Sequence, residues 1–266
     1  MSGFAAEVLA LFDRQVRPGS GLADGVPTEE DGPVRRVYYP GTGFLAAPPD
    51  TGLRGAELDA LIARQRDVWA QRGEAVEWKV YGHDRPADLP ERLLAHSFLP
   101  EEEETLLFAE AADLLAPQEG TPGVTVREVE EPEDLRRIAD QHTEIWEEDW
   151  GWLAKDLAER KAAHPESIVI LAAEAGGRLV SSAWLVLRPG TDFAGLWGGS
   201  TLAAWRGRGI YRDLVARRAR IAVERGYRYL QVDASAMSRR ILERLGFTPA
   251  TSTTPYVWSP PVSLGE

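Results

Sequence analysis

A chain of 266 residues, 44% apolar and 27% charged, has material for one or two cores and the balance of a soluble globular protein. It lacks cysteine, which excludes disulfides, cysteine–zinc sites and thiol nucleophiles. The formal net charge of −12, concentrated in the first half, disfavours a nucleic-acid partner and suits a cationic small molecule.

Along the chain, Met1 to Val16 is partly apolar, but Glu7 and Asp13 interrupt it and no basic segment precedes it, so it does not read as a signal peptide. No stretch approaches membrane-spanning length, and a cytoplasmic location without a membrane partner is expected. "PVRRVYYPGTGFLAAPP" predicts strands around a tight turn, Glu57 to Gln71 a helix, and "AVEWKVYG" a strand. "DLPERLLAHSFLP", Asp88 to Pro100, predicts a short helix that ends on a small residue and Phe. The Pro/Gly-containing stretch Ala116 to Thr125 reads as a linker.

Beyond it, Val124 to Val129 predicts a strand, and "EPEDLRRIADQHTEIWEEDWGWLAKDLAERKAAHP" one or two helices with tryptophans near a bend. "SIVILAAEAGGRLVSSAWLVLRPG" is a hairpin turning at Gly176-Gly177. "FAGLWGGSTLAAW" predicts a strand, "RGRGIY" a loop, and "RDLVARRARIAVERG" a helix closed by glycine. Then come the strand "YRYLQVDA", the short helix "SRRILERLGF" and a last strand, Thr253 to Trp258. The end of that short helix echoes Asp88–Pro100, which suggests a duplicated unit. Alternating helices and strands make an α/β chain, or α+β in some schemes.

The Gly/Arg loop is the most informative stretch. Gly207 and Gly209 permit positive φ and leave backbone N–H groups open to an anion, and Arg206 and Arg208 add charge. The loop is not a Walker loop, which needs Gly-Lys-Ser/Thr at its end, nor a three-glycine dinucleotide fingerprint. It does follow Gln/Arg-x-x-Gly-x-Gly/Ala at Arg206 and Gly209. On this loop, and on the order of the elements around it, the segment Val124 to Trp258 resembles the GNAT superfamily of acyl-CoA-dependent N-acyltransferases. The first half resembles the degenerate copy of tandem GNAT proteins, because it carries the helix-end echo without a glycine-rich loop.

The resemblance implies two GNAT-like domains, each a mixed, mostly antiparallel sheet flanked by helices: residues 1–120 non-catalytic and 121–266 the acyltransferase. It implies acetyl-CoA, or another acyl-CoA, as cofactor. The pyrophosphate is expected on Arg206, Gly207, Arg208, Gly209, Ile210, Tyr211 and Arg212, and the pantetheine arm on the backbone of Gly199, Ser200, Thr201 and Leu202. The family's second Gly/Ala is Tyr211 here, and its usual acidic tyrosine falls at Leu242. Substitute catalytic candidates are Tyr256 on the last strand, Asp233 at a strand's C-terminal edge, and Ser235 where the family often has asparagine. Gly198-Gly199 is placed to distort its strand so that an N–H reaches a reacting carbonyl.

"HTEIWEEDWGW" sits where the family often binds its acceptor. Trp146, Glu148, Asp149 and Trp150 are the substrate-binding candidates, an aromatic and acidic set suited to a cationic amine. In an unbroken helix Glu144, Glu148 and Trp152 would share a face. His142, a lone histidine on a polar helix, reads as exposed. Four scattered histidines (His83, His96, His142, His164) give no metal-ligand spacing, and no metal is expected. The expected activity is transfer of an acetyl group from acetyl-CoA to a primary amine of a cationic small molecule. The alternatives are a CoA-binding or structural module without turnover, and a protein or peptide N-acetyltransferase. The oligomeric state is open.

Overall fold

The computed structural model describes residues 2–19, 26–115 and 120–261. Residues 116–119 of the expected linker therefore lie outside the described residues. In chain order the elements are α1 (Gly3–Gln15), β1 (Thr28–Asp31), β2 (Val34–Tyr39), β3 (Thr42–Ala46), α2 (Gly55–Arg72), β4 (Ala75–Tyr81), α3 (Leu89–Ala95), β5 (Leu99–Pro100) and β6 (Glu104–Glu110). They continue with β7 (Thr125–Glu128), α4 (Pro132–Trp146), α5 (Gly151–Ala163), β8 (Ile168–Ala175), β9 (Arg178–Leu187), β10 (Phe193–Thr201), α6 (Ile210–Glu224), β11 (Tyr229–Ala234), α7 (Ala236–Arg244) and β12 (Thr248–Trp258). Among the described residues no helix is long and apolar enough to cross a membrane.

Two compact units emerge, but they do not divide at one point near residue 120. Among the described residues the first comprises 2–19, 26–107, 233–241 and 248–261, and the second 108–115, 120–232 and 242–247. The physical reason lies in strand pairing. The last strand, β12, is antiparallel to β4 from Thr253–Tyr81 to Trp258–Val76, so the first unit's sheet is completed by the end of the chain.

In the first unit, β1, β2 and β3 form antiparallel pairs, β3 runs parallel to β4, and β12 takes β4 on one side and β5 on the other. Side chains alternate along β4. Val76, Trp78 and Val80 join α2's Leu58, Leu61, Ile62 and Trp69 in one apolar cluster, while Glu77 and Lys79 take the opposite face. Each fully buried apolar side chain there contributes about 1.5–3 kcal/mol. Gly43 makes room for this core: a Cβ on it would lie 2.3 Å from the Trp69 ring.

In the second unit, β7, β8, β9 and β10 are successively antiparallel, and β10 runs parallel to β11. Ile168, Ile170 and Ala172 of β8 and Trp184 of β9 pack against Leu135, Ile138, Leu153 and Leu157 of α4 and α5. Helix α6 buries Ile210, Leu214, Val215, Ala219 and Ala222, the 3.6-residue spacing expected of a helix laid on a sheet.

Candidate active site

The site of the second unit starts from an interrupted strand. β10 pairs with β11 only from Phe193–Tyr229 to Gly195–Gln231, and beyond that point its ladder is with β9 alone. Its register with β9 then shifts between Trp197 and Ser200, which is the bulge expected of Gly198-Gly199. Both glycines are obligatory: Gly198 has φ +60 and a Cβ there would lie 1.8 Å from the Trp184 ring, while one on Gly199 would lie 2.6 Å from Tyr211. The Tyr211 ring therefore packs against the bulge, which accounts for a large residue where the family has Gly or Ala.

After β10 a single 3-10 turn, Ala203–Trp205, leads into the Gly/Arg loop. Gly207 has φ +75 with open space where a side chain would be, and Gly209, with φ +94, is the N-cap of α6 and gives it no side-chain cap. The first N–H groups of α6 thus have neither an intrahelical acceptor nor a capping side chain, and the helix dipole adds to their attraction for an anion. Arg206 donates from Nε to the Thr201 carbonyl at 3.0 Å, and the Arg208 guanidinium stacks 4.6 Å above the Trp205 ring. The one acid of the helix's first turn, Asp213, is engaged by Thr121, whose backbone N–H and hydroxyl both donate to it, at 2.7 and 2.6 Å. Thr121 Oγ1 also bonds the Arg208 carbonyl at 3.2 Å, which ties the loop down. These features fit the phosphates of a CoA.

Sequence reasoning missed the polar cluster on the other side of β10. Gln141, His142, Ser182 and Ser200 are all buried. Gln141 Nε2 donates to Ser200 Oγ at 3.0 Å, Ser182 Oγ donates to Gln141 Oε1 at 2.6 Å, and His142 Nε2 lies 3.1 Å from Ser200 Oγ. His142 is thus not the exposed side chain expected. Its ring packs against Trp150 and Trp184, and burial pushes its pKa down to about 4. That value makes it neutral near pH 7 and a poor base for an ammonium of pKa near 10, a mismatch of about six pH units.

The acceptor candidates lie on a broken helix. Glu147 adopts φ +57 and ends α4, so Glu144, Glu148 and Trp152 do not share one helical face. Glu144 instead pairs with Arg178 at 2.6 Å. Trp146, Glu148 and Asp149 are exposed, and Asp149 Oδ1 accepts from the Gly151 N–H at 2.8 Å. Trp150 is half-buried between His142 and Trp152, and its backbone N–H donates to Thr143 Oγ1 at 3.0 Å.

The three catalytic candidates separate within the first unit. Tyr256 sits in the apolar cluster with Trp78 and Trp258, and burial pushes its pKa up. Thr253, of opposite parity on the same strand, faces the other way and donates to Asp233 at 3.1 Å. Asp233 also accepts from Lys79 at 3.3 Å. Burial opposes the Lys79 charge, but Asp233, Tyr81, Glu77 and Glu104 outweigh it and hold the ammonium above its ordinary pKa. Burial also raises the carboxyls of Glu77 and Glu104. Tyr256 and Asp233 thus lie on opposite faces of one sheet. Ser235 accepts from the Ser238 N–H at 3.4 Å, the bond of a helix cap. Leu242, where the family has its tyrosine, is fully buried.

A parallel strand pair that parts beside a bulge, with an open helix N-terminus after it, is the arrangement expected of the family that the sequence resembles. Residues 133–247 match the model of the acetyltransferase (GNAT) family, and this segment is a GNAT domain. In fold the chain is similar to a GCN5-related N-acetyltransferase from Kribbella flavida, with 18% identity, TM-score 0.70, and 99% of this chain and 98% of that one covered. It is also similar to a functionally unknown conserved protein from Staphylococcus epidermidis (15% identity, TM-score 0.62, 90% and 95% covered). A third similar structure is a tandem GNAT protein from the clavulanic acid biosynthesis pathway (14% identity, TM-score 0.63, 85% and 78% covered). No curated protein gives a significant sequence match.

Proposed function

We propose that the chain is an N-acetyltransferase moving an acetyl group from acetyl-CoA to a primary amine of a cationic small molecule, with the chemistry in the second unit. The observation that carries this reading is β10, which leaves β11 after Gly195, bulges at Gly198-Gly199 and runs into the Gly/Arg loop. Acetyl-CoA supplies an activated thioester. The amides of Gly207 to Arg212, with Arg206 and Arg208, hold its phosphates, and the backbone of Gly199, Ser200, Thr201 and Leu202 holds the pantetheine arm. A bulge N–H stabilises charge developing on the carbonyl oxygen.

The exposed Trp146, Glu148 and Asp149, with the half-buried Trp150, attract and orient the cationic acceptor. Orientation supplies much of the rate, and a thiolate leaves readily near neutral pH. The first unit is a structural partner without cofactor chemistry, and no metal takes part.

The reading is tested by free-thiol release from acetyl-CoA across polyamines, aminoglycosides, amino acids and peptides. Acceptor-dependent release with cationic small amines is expected. CoA binding without release for any acceptor or acyl donor would instead make the chain a binding module, and release with peptides alone would move the substrate class.

A further inference from the structure

Arg218 is 1% exposed, yet among the described residues no carboxylate pairs with it. Its partners are carbonyls: Nε donates to Leu214 O at 3.1 Å, and Nη1 reaches Trp184 O and Trp197 O, each at 3.4 Å, while Nη2 has no partner. Burial lowers its pKa, and the Tyr211 phenol acts in the opposite sense. A guanidinium withdrawn from water without a counter-charge is expensive, and an apolar side chain of similar volume would fill the space more cheaply. Its partners point to its use. Trp184 and Trp197 are the last cross-strand pair before the β10 bulge, where the β9–β10 ladder loses its register.

We infer that Arg218 is a positioning residue that sets the oxyanion-stabilising amide of the bulge, an inference that rests on the acyltransferase reading above. The peptide group is planar and trans, so the Trp197 carbonyl and the Gly198 N–H point in opposite directions. Holding the carbonyl from α6 therefore aims the N–H away from α6. A charged donor on the carbonyl also polarises the same amide and makes its N–H a stronger donor. The Trp184 ring below Gly198 and the Tyr211 ring against Gly199 leave the bulge little freedom to compensate.

The experiment compares wild type with Arg218→Met and Arg218→Lys in the full chain. Calorimetry with CoA reads the phosphate site, thiol release with the fastest panel amine reads turnover, and hydrogen exchange reads peptides spanning residues 195–202. Arg218→Met should lower kcat by roughly 10- to 100-fold, the effect of misplacing a reacting group by about 1 Å. CoA affinity should stay within about threefold, since Arg218 does not belong to the loop. Exchange at 195–202 should rise about tenfold or more. Arg218→Lys, which keeps the charge, should recover part of both effects and guards against a Met variant that fails to fold. Wild-type exchange and turnover in a folded Arg218→Met variant would overturn the inference. So would raised exchange with unchanged turnover, which would leave Arg218 merely structural. A wild type without turnover on any amine defeats the acyltransferase reading, and exchange then decides alone whether Arg218 holds the bulge.

Discussion

The chain runs twice through the same order of elements, β3–α2–β4–α3 in the first unit and then β10–α6–β11 of the second unit leading into α7, each time with the two strands parallel. The two short helices close alike. Phe98 N–H bonds Leu93 O and Phe247 N–H bonds Leu242 O, both at 3.0 Å, after a residue of positive φ, Ser97 in one and Gly246 in the other. The loops after β3 and β10 differ. In the first unit Asp50 accepts from the Gly52 N–H at 2.8 Å and from both Nη atoms of Arg54, the N-cap of α2, at 2.9 and 2.8 Å. Arg54 holds the Asp50 carboxyl at a pKa of about 2, so a fixed anion already stands there. In the second unit the corresponding space holds Gly207 and Gly209. β3 also pairs with β4 from Thr42–Ala75 to Leu45–Trp78, along nearly all its length, whereas β10 leaves its partner. One scaffold is closed with its own charges and the other is open to a ligand's.

The largest expected effect follows from how the first unit is completed. Residues 1–120 alone lack β12 and leave β4 without its antiparallel neighbour, so circular dichroism and exchange should find this fragment largely unfolded. A cooperative melt of the fragment would show that the first copy stands without the end of the chain. Next, Gly198→Ala should cost about 2–4 kcal/mol in urea unfolding, combining a positive φ with overpacking on Trp184. Gly43→Ala, which meets Trp69 without a positive φ, should cost about 1–3 kcal/mol. Only the first should also abolish turnover, and loss of turnover in a folded Gly43→Ala would break the contrast between the units.

His142 gives a pH signature to the second unit. Its pKa of about 4 lies below the ordinary 6.5, so as pH falls the unfolded chain takes up the proton first. Its contribution is complete above pH 6.5 and is lost on acidification down to about pH 4, by at most about 3 kcal/mol. Unfolding free energies measured from pH 7 to 4 should fall less steeply in His142→Gln, and an identical slope would place the ring in a wetter site. Smallest of all, Tyr256→Phe should change thiol release by no more than about twofold. A larger fall in kcat would return its hydroxyl to the chemistry.

Much of the second unit was legible in sequence because its signals are local. Gly207 and Gly209 advertise a loop of positive φ, and Gly198-Gly199 a bulge. The helix-end echo carried the duplication. The remainder depends on contacts far apart in sequence. His142 looks exposed on a polar helix because Ser182 and Ser200, which hydrogen-bond its Nε2, lie on two later strands. Arg218 reads as one more arginine of a basic run until the bulge carbonyls supply its partners. The break at Glu147 uses positive φ without glycine, which sequence does not signal. For Tyr256 the parity of β12 decides the face, and parity acquires meaning only once β4 is known as its neighbour.

The contrast between a closed and an open loop is tested most directly by calorimetric titration of CoA into wild type, Gly209→Asp and Asp50→Asn. A Cβ on Gly209 would lie 3.0 Å from Arg212 Nη2, and an aspartate there sets a carboxylate at the helix N-terminus. Wild type and Asp50→Asn should bind one CoA with equal affinity, and Gly209→Asp should bind at least about a hundredfold more weakly. Equal affinity in wild type and a folded Gly209→Asp would contradict the assignment of the phosphates to this loop.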